Sequence, residues 1–164
     1  MLNISCDDDP DYTPPNDDWF DADSVGNVFI LRFDTTGATL DGPGDCVEYE
    51  NVWFCHTAPK TDEVTVSLCG SEFDTVLAVY EGCNVFPRWD NRIDCNDDFC
   101  DRQSQITFNA IADQEYLIEV GGYGLATGQG VLSIGCAGPT PEEADLGDAP
   151  DSTNNFGRNM TAYP

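Results

Sequence analysis

Seven short runs of β-branched and aromatic residues, each bounded by turn residues, limit most narrowly what this chain can become. They read NVFILRF (27–33), NVWFCHT (51–57), EVTVSLC (63–69), DTVLAVY (74–80), SQITFNA (104–110), EYLIEVG (115–121) and GVLSIG (130–135). Runs of this length and composition are strand signals. Alternation supports the reading. Val64, Val66 and Leu68 fall on one face with Thr65 and Ser67 on the other, and Tyr116, Ile118 and Val120 share a face opposite Glu119. No stretch keeps a 3.6-residue period over ten positions, so almost no helix is expected. The connections GATLDGPGD and GGYGLATGQG are rich in glycine, which permits the positive φ angles of tight hairpins. The expectation is an all-β sandwich.

The texture changes at both ends. Residues 1–24 are acidic and proline-bearing, with eight aspartates between positions 7 and 23. They read as an extended leader without regular structure. Residues 25–136 carry the strands. From Ala137 the sequence AGPTPEE reads as a linker, and a tail with few core residues follows to position 164. Alone, a segment of that composition cannot bury enough apolar surface to offset its ordering entropy.

The chain has 31 acidic against 6 basic residues, a formal charge of −25 over 164 residues. Phosphate recognition needs a basic face, so nucleic acid and anionic membranes are poor partners. Hard cations and basic partners suit the balance better. Solubility alone is the competing reason for such acidity. No apolar run approaches the ~18 residues of a membrane span, so no membrane insertion is expected. Cys6, Cys46, Cys55, Cys69, Cys83, Cys95, Cys100 and Cys136 are even in number and spread along the chain, with His56 the single histidine and no CxxC pair. That favours four disulfides in an oxidising compartment over a zinc site. Eight cysteines allow 105 pairings. Local geometry suggests Cys95–Cys100 across a four-residue turn, Cys69–Cys83 and Cys46–Cys55 across hairpins, and Cys6–Cys136 tying the leader to the last strand.

The ordered motifs FDTVLAVYEGC (73–83), CNDDFC (95–100), SQITFNAIADQEYLIEVGGYG (104–124) and GQGVLSIGC (128–136) resemble the bacterial pre-peptidase C-terminal domain. The likeness is to its cysteine-bearing version in large secreted proteins of planctomycete-like bacteria. It runs from about Asn16 to Cys136. The tail segment DLGDAPDS is similar to a stretch that leads into a further β domain in such proteins. The resemblance implies a jelly-roll-like antiparallel β-sandwich, flanked here by the acidic leader and the extended tail, that is not itself an enzyme. Some relatives, the collagen-binding domains of bacterial collagenases, hold Ca²⁺ where the leader meets the sandwich. Asn16 and Asp17 match the Asn-Asp step that supplies ligands there, with Asp18 beside them. Glu48, Glu50 and Asn51 are the nearest matches to the acidic residues near the second strand, although their spacing departs from the usual Asp-x-Asp.

Ca²⁺ takes six to eight oxygen ligands from carboxylates, amides and carbonyls. An Asn-Asp-Asp turn offers these on adjacent residues, and this chain has two: Asn16-Asp17-Asp18 and Asn96-Asp97-Asp98. Neighbouring carboxylates repel by ~1 kcal/mol or more at surface dielectric, and a divalent ion reverses that sign. Asp74 starts a strand and is a further candidate ligand; capping a turn is its bland alternative. Asp145, Asp148 and Asp151 are spaced as in many solvated linkers. Catalysis is not expected: the carboxylates sit in turns without an apolar cleft, His56 lies in a strand, and no GxSxG is present. Trp53 and Tyr116 read as core. Trp89 stands in a polar loop with Arg88 and Arg92 and is the first candidate contact residue, joined by Phe156 and Tyr163 in the tail.

The sequence therefore reads as a non-catalytic structural or adhesive module, secreted or at a cell surface, disulfide-stapled and calcium-stabilised. Its partners are other domains of one large protein or neighbouring copies, with the tail 145–164 adding to a neighbour's sheet edge. The alternative is a glycan- or matrix-binding accessory module of a secreted hydrolase.

Overall fold

A computed structural model describes residues 12–136. Among these residues nine strands form two packed sheets: β1 (Asp23–Val25), β2 (Val28–Asp34), β3 (Asn51–Thr57), β4 (Asp62–Ser67), β5 (Thr75–Glu81), β6 (Arg92–Asn96), β7 (Gln105–Ala110), β8 (Glu115–Gly122) and β9 (Gln129–Cys136). One sheet runs β1-β3-β8-β5-β6 and the other β2-β9-β4-β7. All pairings are antiparallel except β1 with β3. The all-β sandwich expected from the sequence is what forms. The only helical element among the described residues is a 3-10 turn, Trp19–Asp21.

Period-two alternation builds the core between the sheets. Val52 and Phe54 of β3, Leu77 and Val79 of β5 and Ile118 and Val120 of β8 face Val64 and Val66 of β4, Ile106 and Phe108 of β7 and Leu132 and Ile134 of β9. Each such side chain, fully buried, contributes about 1.5–3 kcal/mol relative to exposure. Thr65 and Thr107 pair across the solvent face of the four-stranded sheet at 2.8 Å.

The five-stranded sheet is buried on its other face as well. Trp53, Cys55, Ala78, Tyr80, Cys83 and Leu117 form a second cluster there, with Trp19, Ala22 and Cys46 packed against it. Hence β3, β5 and β8 read as near-continuous apolar runs, as strands covered on both sides do. The cover is the leader and the loop 35–50. Trp53 N donates to Asn16 O at 2.9 Å, and Asn16 Nδ2 donates to Trp53 O at 3.0 Å. Gly42 lies so close that a Cβ there would meet the Trp53 ring at 2.8 Å. The leader is therefore more than an extended segment: from residue 14 onward its backbone folds onto the sheet, and its last residues begin β1.

Among the described residues three disulfides form: Cys46–Cys95, Cys55–Cys83 and Cys69–Cys100. The expected pairs Cys95–Cys100, Cys69–Cys83 and Cys46–Cys55 are thus overturned. Sequence neighbours do not share a layer here. Cys95 is registered with Ala78, on the outer face of the five-stranded sheet, and meets Cys46 of the covering loop. Cys100 lies past β6, after the chain has turned toward the other sheet, and meets Cys69 at the end of β4. Cys55, Leu117 and Tyr80 form one row across β3, β8 and β5, and the chain beyond β5 brings Cys83 back over that row to Cys55. The pairing Cys6–Cys136 involves a residue outside the described ones.

Candidate cation site at the end of the five-stranded sheet

Strands β5 and β6 are antiparallel, with Leu77 opposite Asn96. The residue before β5 and the two after β6 therefore meet at one end of the sheet. These are Asp74, Asp97 and Asp98, and a carboxylate oxygen of each lies within 4.8 Å of the others. The backbone around them is fixed. Asp74 O accepts from Tyr123 N at 2.9 Å. Ser104 Oγ lies 2.7 Å from Asp97 O. Phe99 N and Cys100 N both donate to Gln103 O at 2.9 Å, and Cys69–Cys100 ties this turn to the second sheet. Asp101, with φ of 72°, closes it in the left-handed region that aspartate tolerates.

Two oxygens in this cluster, Asp74 Oδ1 and Asp97 Oδ1, are buried and have no hydrogen-bond partner among the described residues. Burial raises the Asp97 carboxyl above the ordinary range, and the charges of Asp98 and Asp74 raise it further. Buried polar atoms without partners are rare in native structures and costly, so each calls for a physical reason. A divalent cation would supply one, and the donor set is carboxylate oxygen, the ligand type of hard cations.

The other candidate ligands are placed differently. Asn96 Oδ1 accepts from Gln105 N at 3.0 Å and so joins β6 to β7. In the leader, Asp17 accepts from Thr39 through both oxygens, at 2.6 Å from N and 2.8 Å from Oγ1. Asp18 is raised by partial desolvation and then by Asp41, Asp17 and Asp21. No three carboxylates of the leader, Glu48 and Glu50 come within 4.8 Å of one another among the described residues. Glu48 is exposed and lines a cleft with Asp45, Tyr49, Asp97 and Tyr123. Glu50 is half-buried. Asn51 is buried and bonds the carbonyl of Asp41 at 2.7 Å. The structure thus assembles the second Asn-Asp-Asp turn with Asp74, and it uses the first to fasten the leader.

Trp89 is 76% exposed. Arg88 stacks its guanidinium 5.6 Å over the Phe86 ring. Arg92 instead pairs with Asp45 at 2.8 Å, holding the covering loop to β6. Phe156 and Tyr163 lie outside the described residues.

A buried polar group went unread in the sequence. Glu119 is fully buried. Asn51 Nδ2 donates to its Oε1 at 2.5 Å and Tyr80 Oη to its Oε2 at 2.6 Å. Burial pushes its carboxyl up to about 8, helped by Asp45 and Asp41 and opposed by the two hydrogen bonds. Glu119 stands between Ile118 and Val120, and its face is dry only because the leader and the loop 35–50 cover it. His56 is also fully buried, with Nδ1 3.2 Å from Val25 O.

No protein-family model matches the chain, and a search of curated proteins finds no match. Among solved structures it is similar to the pre-peptidase C-terminal domain of a collagenase from Bacillus anthracis, at 14% identity and TM-score 0.49, covering 70% of this chain and 94% of that one. It is also similar to PliG of Aeromonas hydrophila, a periplasmic inhibitor of g-type lysozyme, at 17% identity and TM-score 0.41, covering 70% and 97%. The first is a domain of the family that the ordered sequence motifs resemble.

Proposed function

We propose that this chain is a non-catalytic structural or adhesive module of a secreted or surface protein, stapled by disulfides and stiffened by Ca²⁺ at Asp74, Asp97 and Asp98. The observation that carries the reading is the pair of buried, partnerless oxygens of Asp74 and Asp97 beside a third carboxylate. Three carboxylates offer up to six oxygens, the lower end of what Ca²⁺ takes. An ion there would cancel their mutual repulsion and lock the ends of β5 and β6 to the turn that Cys69–Cys100 holds. Three disulfides fit an oxidising compartment. The groups best suited to acid–base chemistry, Glu119 and His56, are sealed from solvent, which supports a non-catalytic role.

Calorimetric titration with Ca²⁺ tests the site. Asp97→Asn and Asp74→Asn should each weaken binding at least tenfold, while Asp17→Asn leaves it unchanged. Loss of binding in Asp17→Asn alone would move the ion to the leader, where the family resemblance implies it. No binding in the unaltered protein would remove calcium from the account. Exposed Trp89 favours a second reading, a glycan- or matrix-binding module. It predicts binding of a glycan array or collagen by the isolated monomer, lost in Trp89→Ala.

A further inference from the structure

Among the described residues the longest edge strand of the sandwich is β2. In the four-stranded sheet β2 and β7 are terminal, but β7 is sealed at one end by β6 through Asn96 and Gln105. In the other sheet the terminal strands are β1, with only three residues, and β6, with five. Strand β2 has seven. Its pairing with β9 slips between Val28 and Leu31, and there Phe29 and Ile30 stand 90% and 62% exposed. Long apolar edges invite strand addition, and native proteins usually cover or charge them.

The chain itself carries a fitting segment. Strand β9 ends at Cys136, beside β2: Val28 is registered with Ile134, and Cys136 shares a surface groove with Phe29 and Ile30. Residues 137–164 follow. Their prolines are at 139, 141, 150 and 164, so 151–163 is free of the residue that breaks a ladder. Within it, residues 152–163 hold no carboxylate and one cation, Arg158, in a chain of charge −25. In an extended conformation Phe156, Arg158, Met160 and Ala162 share a face. The intervening residues 137–151 can reach on the order of 50 Å, against about 23 Å for a seven-residue strand.

We infer that residues 152–163 dock on the free edge of β2 of their own chain, adding a strand and covering Phe29 and Ile30. The tethered segment faces its site at a local concentration in the millimolar range, whereas a second copy brings the repulsion of another acidic body. This differs from the sequence-level expectation of addition to a neighbour, and it is independent of the cation site.

Hydrogen exchange read by mass spectrometry on the full chain, disulfides intact, tests it. Amides of 152–163 should exchange at least tenfold more slowly than unstructured rates, at every protein concentration. Phe29→Asp should return them to unstructured rates while β3 and β8 stay protected. Phe156→Asp, outside the sandwich, should do the same and serves if Phe29→Asp fails to fold. Unstructured rates in the unaltered protein would overturn the inference. So would protection that neither variant removes, or protection that grows with concentration alongside a sedimenting dimer, which would assign the edge to a second copy.

Discussion

Replacing Glu119 by Gln should flatten the dependence of stability on pH between about 4.5 and 8. The folded carboxyl titrates at about 8 and its ordinary value is 4.5. The native state therefore keeps a proton that the unfolded chain releases. The contribution of this proton is full below pH 4.5, declines as pH rises, and is gone above 8. A gap of about 3.5 units corresponds to roughly 5 kcal/mol at ~1.4 kcal/mol per unit. Gln carries no titrating proton and can still accept from Asn51 Nδ2 while its amide faces Tyr80 Oη. Urea unfolding of both proteins at half-unit steps from pH 4.5 to 8.5 isolates the effect, because other titrating groups are common to both. The stability difference, unaltered protein minus variant, should fall by several kcal/mol across that window. A difference that is flat with pH would mean that Glu119 is ionised in the folded state, held by its two donors, and the reasoning from burial would fail.

His56 gives the opposite sign. Burial lowers its pKa below 6.5, against weaker hydrogen bonds to the Val25 and Gly26 backbone, so its stabilising share is lost as pH falls below 6.5. His56→Phe should abolish that acid loss in urea unfolding between pH 6.5 and 5. Removing Cys69–Cys100 by paired serine substitution opens a loop with a sequence separation of 31; loop entropy sets the cost near 3–4 kcal/mol, readable by urea unfolding at fixed pH. At Gly122 a Cβ would overlap the backbone carbonyl of Ala126, while at Gly135 it would meet nothing within 4 Å. Gly122→Ala should therefore cost 1–3 kcal/mol or more as overpacking and Gly135→Ala far less, in the same assay.

The strands legible in the sequence were those with strong composition. The run NVWFCHT coincides with β3, and the other six lie within two residues of their strands at either end. The two missed strands carry no comparable signal. Strand β1 is DSV, only three residues. Strand β6 is RIDCN, with one aliphatic residue on an exposed edge. The alternation of Val64, Val66 and Leu68 marked their burial correctly. Glu119 was placed on the opposite face of its strand from Ile118, but whether that face is dry depends on the loop 35–50, a long-range contact that no local pattern encodes. The disulfides failed for the same reason. Pairing by sequence proximity assumes hairpins, whereas sheet order β3-β8-β5 and the crossing to the second sheet decide which sulfurs meet. Asp74 lies beside the CNDDFC turn because β5 and β6 pair as antiparallel neighbours.

Thermal unfolding in Ca²⁺, in Mg²⁺ and in EDTA, at fixed ionic strength with disulfides intact, tests the cation clamp most directly. At a Ca²⁺ concentration a hundredfold above its dissociation constant, the native state should gain about 2.7 kcal/mol, a rise in Tm of roughly 8–10 °C for a domain of this size. Mg²⁺ should give much less, because it holds its waters and demands stricter geometry. A Tm that is the same in millimolar Ca²⁺ and in EDTA would contradict the clamp and leave Asp74, Asp97 and Asp98 in a turn held by Cys69–Cys100 and its backbone hydrogen bonds.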